Sequence, residues 1–216
     1  MTNPWLHIPL ADYEGHMALP HVAQASLLAD LFGALLREHQ PESVAVLGCA
    51  GGNGLERIDP AATGRVVGVD INPAYVEATR ERHQGRFARL EAICCDLERR
   101  RNHYEPVALA WAALLFEYVD PFAAMNRIAP LVAPAGVLAT VVQEPDGTIP
   151  AVTPSAYASL EALSPVLRHV APARLASLAA GHGLYEMRRQ RVTAAGGKCF
   201  VLQVFRRDDE MVIDEA

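Results

Sequence analysis

Lysine is almost absent from this chain. Of its 19 basic residues all but Lys198 are arginine, and alanine is abundant, a bias that fits a GC-rich bacterial genome and carries no function. Cysteine is scarce too, with four residues at 49, 94, 95 and 199. They form no Cys-x-x-Cys pair, and no histidine stands at metal-ligand spacing, so no metal site is expected. Two adjacent cysteines in an apolar run point instead to reduced, buried thiols and a cytoplasmic location. The longest apolar run, Val107 to Phe116, is too short to cross a bilayer, so no membrane partner is expected. The first residues lack a basic region followed by an apolar core, and no signal peptide is expected. No basic stripe is present: the net charge is −6 and the one dense positive run is Arg99-Arg100-Arg101, which a solvated helix end explains as well as a phosphate site. Nucleic acid is therefore a poor candidate for a partner.

What the chain does contain is enough apolar material for one sizeable core. Its 216 residues are 51% hydrophobic and 20% charged, which suits a single decorated α/β domain. Residues 1–17 show no clear period but hold a polar-aromatic cluster, Asp12-Tyr13-Glu14-Gly15-His16-Met17. A helix is expected from His21 to His39, closed by Pro41. Strands are expected at 43–47, 65–70, about 91–95, 106–112 and 137–142. Helices are expected at 74–83, after the Asn72-Pro73 cap, and from Asp120-Pro121 to about Val132, where Pro134-Ala-Gly136 terminates it. The alternation breaks after 142. A helical piece is expected near 155–163 and a helix over 172–180. Two strands, 184–193 and 198–206, then form an antiparallel hairpin through Gly196-Gly197. Strands alternating with helices predict a parallel sheet with right-handed crossovers.

The chemistry concentrates where the first strand ends. Val44-Ala-Val-Leu runs into Gly48-Cys49-Ala50-Gly51-Gly52-Asn53-Gly54, four glycines in seven positions. A plain tight turn needs one or two, and the excess suggests a backbone that approaches a ligand closely. Asp70 ends the second strand, beside the first in such a sheet, where a carboxylate suits the two hydroxyls of a ribose. A solvated cap of the following helix is the alternative for Asp70. A dinucleotide fingerprint requires Gly-x-Gly-x-x-Gly, and starting from Gly48 its second and third positions are Ala50 and Asn53.

The spacing Gly48-x-Ala50-x-Gly52 instead resembles the loop of the class I S-adenosylmethionine-dependent methyltransferases, small-molecule type. The resemblance extends over about residues 40–206. Val66-Val-Gly-Val-Asp70-Ile71 is similar to the family's ribose-binding acidic segment. Cys95-Asp96-Leu97 resembles the motif in which an Asp side chain and the next backbone N–H read the adenine edge. Trp111-Ala-Ala-Leu-Leu-Phe-Glu117-Tyr118-Val119 resembles the segment lining the sulfonium and the substrate, and Ile128 to Leu138 resembles the passage into the fifth strand. The family's fold is a three-layer, doubly wound, Rossmann-like α/β sheet, mostly parallel with one antiparallel strand, in the order 3-2-1-4-5-7-6.

The resemblance implies S-adenosylmethionine as cofactor, S-adenosylhomocysteine as product and a small-molecule substrate. It implies cofactor contacts at Gly48, Cys49, Ala50, Gly52, Asp70, Ile71, Asp96, Leu97 and Trp111. It also implies an N-terminal lid segment and helix over 1–39, a binding domain over 40–206 and an acidic tail over 207–216. Candidate catalytic residues are His16 and Tyr13, which stand on that lid, and Glu117. His169 and Tyr157 fall in the later segment and are expected at the surface. Ala50, in place of a glycine, is compatible with the loop if its φ is negative, and Asp96 could serve as a strand-end cap instead. A non-catalytic binding protein for the same cofactor, or an NAD-dependent oxidoreductase on the same sheet, are the alternatives.

Overall fold

The computed structural model describes residues 3–99 and 105–209. Arg100 and Arg101 of the basic run, residues 1–2 of the N-terminal segment and 210–216 of the acidic tail lie outside the described residues. Seven strands form one sheet: β1 (Ser43–Leu47), β2 (Arg65–Asp70), β3 (Arg89–Cys94), β4 (Val107–Ala113), β5 (Val132–Gln143), β6 (Leu184–Thr193) and β7 (Cys199–Arg207). Their order is β3-β2-β1-β4-β5-β7-β6, with β7 antiparallel to both of its neighbours and the other pairs parallel. This is the doubly wound architecture expected.

The pleat sorts each strand's residues between two apolar layers. On β1, Val44 and Val46 join Phe32, Leu35, Leu109 and Phe200 on one face. Ala45 and Leu47 join Ala110, Met125, Ile128, Leu175 and Phe205 on the other. The first face is covered by α2 (Gln24–His39) and α3 (Pro73–His83), the second by α4 (Pro121–Ile128) and α5 (Pro172–Ala180). Local signals set the helix starts. Asn72 Oδ1 accepts from Ala74 N–H at 2.9 Å ahead of Pro73, and Asp120 Oδ1 accepts from Ala123 N–H at 2.8 Å ahead of Pro121.

Three expectations are corrected. The stretch read as aperiodic contains α1 (Leu10–Ala18), so the polar-aromatic cluster is helical. Its apolar and polar residues meet other segments on several sides, which removes the one-face signature of a surface helix. Helix α2 starts at Gln24 rather than His21, because Ala23 takes a left-handed conformation with φ 50°. Pro134-Ala-Gly136 does not end a helix. It lies inside β5, which begins at Val132 directly after a single 3-10 turn, Ala129–Leu131.

Between Val107↔Val132 and Leu109↔Val137 the register slips, so three extra residues of β5 are looped out. Pro134 has no N–H to give a ladder, and a bulge is where a strand tolerates it. A Cβ on Gly136 would stand 2.7 Å from Ala133 O and 3.1 Å from Ala108 O, both backbone atoms. Gly136→Ala is accordingly expected to cost about 1–3 kcal/mol by overpacking. Thermal denaturation should show Tm falling by roughly 2–4 °C per kcal/mol in a chain of this size. An unchanged Tm would mean the bulge relaxes freely.

Candidate functional site

At the end of β1 the chain turns through Gly48 (φ 75°), Ala50 (φ 48°), Gly52 (φ 85°) and Gly54 (φ 91°). The loop is tied to the end of β2. Val69 O accepts from Gly48 N–H at 2.8 Å and Cys49 N–H at 3.0 Å, and Asp70 Oδ2 accepts from Ala50 N–H at 2.9 Å. Asp70 Oδ1 accepts from Asn72 N–H at 2.9 Å. Burial pushes the Asp70 carboxyl up, and the backbone N–H groups of Asn72, Ala50 and Ile71 hold it down. The negative φ expected for Ala50 is not found. A left-handed alanine is strained by about 1–2 kcal/mol, and here two backbone hydrogen bonds to its neighbours and one to Asp70 fix it.

The loop's other glycines serve contacts within the protein. A Cβ on Gly51 would lie 2.5 Å from Arg82 Nη1 and 2.7 Å from Leu10 Cδ2 on α1. One on Gly52 would lie 2.7 Å from His83 Nε2 on α3. These two positions let α1 and α3 close against the loop.

In front of the loop, at the carboxyl ends of β1 to β5, is a cavity of about 1160 Å³ including its open mouth. Gly48, Ala50, Asp70, Ile71, Asp96 and Leu97 line it. Cys49, Gly52 and Trp111 do not. Cys49 Sγ turns to Thr79 Oγ1 at 3.6 Å, and burial pushes its thiol up to about 12. Trp111 stacks on Phe32 with centroids 5.4 Å apart. Those two line a second recess on the α2 side of the loop, and Gly52 lines neither space. Asp96 lines the cavity and also caps the turn after β3, accepting from Glu98 N–H at 2.9 Å.

The N-terminal segment roofs the cavity. Asn72 Nδ2 donates to Trp5 O at 2.8 Å and Tyr75 Oη to Ile8 O at 3.0 Å. Arg82 Nη2 donates to Glu14 Oε2 at 3.0 Å, and Ser159 Oγ to Asp12 Oδ2 at 2.6 Å. The Trp5 ring meets Tyr118 edge-on at 5.0 Å and Tyr13 at 5.6 Å, and Tyr13 in turn packs on Tyr75. Tyr157 is not at the surface: it is half-buried against Trp5, Tyr13 and Leu160. His169 Nδ1 lies 3.4 Å from Gln143 O and outside the cavity.

All three catalytic candidates reach the cavity. Burial, then the nearby charges of Asp70 and Glu14, push the Tyr13 phenol up, so it stays protonated. His16 is 6% exposed, with Nδ1 3.0 Å from Ser155 Oγ. Burial first, then the charges of Lys198 and His21, push its pKa down, leaving a neutral imidazole near pH 7. Glu117 is 2% exposed. Its Oε1 accepts from Gln143 N–H at 2.6 Å, its Oε2 has no hydrogen-bond partner, and burial pushes its carboxyl up to about 7. Sequence reasoning missed Lys198, Gln143, Gln24 and Trp5, which also line the cavity. A signal was available for one of them, the single lysine of the chain placed next to Gly196-Gly197.

Residues 44–136 match the family model of the methyltransferase domain. A comparison with curated protein sequences gives no match. Among solved structures the chain is similar to the N-methyltransferase NodS from Bradyrhizobium japonicum WM9, at 18% identity and TM-score 0.61 over 89% of this chain and 99% of that one. It is similar to the magnesium protoporphyrin IX methyltransferase of Synechocystis with bound S-adenosylhomocysteine, at 13% identity and TM-score 0.65 over 87% and 84%. A third is the 1,6-didemethyltoxoflavin-N1-methyltransferase of Burkholderia thailandensis with bound 1,6-didemethyltoxoflavin and S-adenosylhomocysteine, at 16% identity and TM-score 0.60 over 97% and 92%. At these identities the likeness is one of fold.

Two predictions follow from the site's energetics. Ala50→Gly removes left-handed strain and should raise stability by about 1 kcal/mol, read as a rise in Tm; no rise would mean the strain is absent. Glu117 keeps its proton in the folded chain up to about pH 7 but releases it near 4.5 when unfolded. Its contribution to stability is therefore lost as pH rises through that window, by roughly 3 kcal/mol in total. The Tm of Glu117→Gln relative to wild type should improve between pH 5 and pH 8. A constant difference would show that burial does not carry this titration.

Proposed function

With residues 44–136 matching the family model of the methyltransferase domain, we propose that this chain is an S-adenosylmethionine-dependent methyltransferase acting on a small-molecule acceptor. The observation that carries this reading is the pairing of Asp70 with Glu117 in one roofed cavity at the carboxyl ends of the strands. The donor and acceptor set fits the cofactor. Asp70 Oδ2 receives Ala50 N–H and Oδ1 receives Asn72 N–H, and the carboxylate keeps lone pairs for ribose hydroxyls. Asp96 and the Leu97 N–H suit the adenine edge, and Gly48 and Ala50 supply the close backbone. Glu117 Oε2, buried and without a partner, requires a donor that the ammonium of an amino-acid moiety provides.

When bound, S-adenosylmethionine supplies an electrophilic methyl group on a positively charged sulfur. The chain's own residues then act chiefly by alignment and by excluding water. In this reading residues 1–39 are the lid segment and its following helix, with Trp5 and Tyr13 as the lid's inner surface, 40–206 are the binding domain and 207–216 the acidic tail. His16, neutral near pH 7, takes a proton from acceptors that must lose one. The net charge of −6 favours a small acceptor over nucleic acid. Buried thiols at Cys49 and Cys199 and the arginine-rich composition favour the cytoplasm of a bacterium. Among the described residues no helix is long and apolar enough to cross a membrane.

Calorimetric titration tests the reading. S-adenosylhomocysteine should bind and NAD should not. Asp70→Ala, which loses charge-assisted hydrogen bonds worth roughly 1.5–3 kcal/mol each, should weaken S-adenosylhomocysteine at least about tenfold. Equal affinity in the variant would remove Asp70 from the ribose site, and binding of NAD alone would replace the reading with that of an oxidoreductase.

A further inference from the structure

We propose that the methyl acceptor is an apolar molecule bearing a carboxylate, and that the carboxylate docks on the Lys198 ammonium inside the cavity. The inference rests on the methyltransferase reading and names the substrate class of that same site. Lys198 stands in the turn between β6 and β7, yet it is 3% exposed and lines the cavity. Lysine is almost never buried without a partner of opposite charge. Here one of three donors is used, Nζ to Ala151 O at 2.7 Å, and among the described residues the ammonium forms no ion pair. His16 also faces the cavity, and burial first, then the Lys198 charge, pushes it toward neutrality.

The cavity is thus polarised. Lys198 marks a cationic corner beside His16, whereas the Asp70 carboxyl and the unpartnered Oε2 of Glu117 place acceptors elsewhere in the cavity. A sulfonium and an ammonium suit the carboxylates, and an anion suits the basic corner. Burial has pushed the Lys198 amine down to about 8, so at neutral pH it still carries the proton that a carboxylate would accept as a hydrogen bond. Val152, which follows Ala151 in the chain, packs with Leu160 and Leu163, and these three cavity-lining residues give the rest of the acceptor an apolar wall. An acceptor built for this corner has an anionic end and an apolar body.

Because Lys198 is the one lysine in the sequence, isotope-labelled lysine gives a single side-chain signal in NMR. The probes are benzoate and 2-naphthoate, with benzamide and 2-naphthamide as uncharged matches, added to protein saturated with S-adenosylhomocysteine. The carboxylates should bind at least tenfold tighter than the amides and alone displace the Lys198 signal. Lys198→Met should abolish that preference and leave S-adenosylhomocysteine affinity within about twofold. Equal binding of acid and amide, absence of carboxylate binding, or a preference that survives Lys198→Met would each overturn the proposal. The wild-type signal decides the matter even if the variant does not fold. Failure of S-adenosylhomocysteine to bind wild-type protein is a separate result that removes the methyltransferase reading, and the carboxylate arm is then read on the unloaded protein.

Discussion

The two backbone N–H groups held by the Asp70 carboxylate are the contact on which the rest of the structure depends. One oxygen fixes Ala50 in the loop after β1 and the other fixes Asn72 at the start of α3. Asn72 caps α3 through Oδ1 and reaches the N-terminal segment through Nδ2, at Trp5 O. A carboxylate and one amide side chain therefore join the loop, β2, α3 and the roof. Burying that carboxylate is costly, and charge-assisted bonds to backbone N–H groups offset the cost. The position of the roof is thereby set from the floor of the cavity.

The glycine loop takes on a different meaning in this light. Its density suggested close approach to a ligand, but only Gly48 of its four glycines lines the main cavity. Gly51 and Gly52 are small because Arg82 and Leu10 on one side, and His83 on the other, occupy the space a Cβ would need. The loop is a junction that two helices close upon, and the position facing the cavity next to Gly48 is a strained alanine. Strain retained beside a cavity, with a buried oxygen left unpaired at Glu117 and a buried ammonium at Lys198 using one of its three donors, is a pattern that favours ligand binding over stability.

Much of the fold was legible because its signals are local. The Asn72-Pro73 and Asp120-Pro121 caps, the β-branched runs of β1 and β2 and the glycines around the last hairpin act within a few residues of themselves. Helix α1 and the start of β5 were not legible, for opposite reasons. Helix α1 is contacted on several sides, so its apolar residues trace no single face. The Pro134-Ala-Gly136 triplet has the composition of a terminator, yet it lies in a bulge within β5, between Val132 and Val137, which pair with β4 on either side of it.

The candidate site divides in the same way. Gly48, Ala50, Asp70, Ile71, Asp96 and Leu97 stand at strand ends, and strand ends in a doubly wound sheet converge, so sequence alone determined that they would meet. Which way each side chain points was a tertiary decision. Trp111 lies among these residues but stacks on Phe32 of α2, because the pleat sends alternate residues of β4 to opposite faces, and Cys49, in the loop, turns to Thr79 of α3. Gln143 and Lys198 enter the cavity from β5 and from the hairpin that pairs with it, far along the chain from the glycine loop. No local pattern encodes that approach, since it exists only once β7 has been inserted antiparallel between β5 and β6.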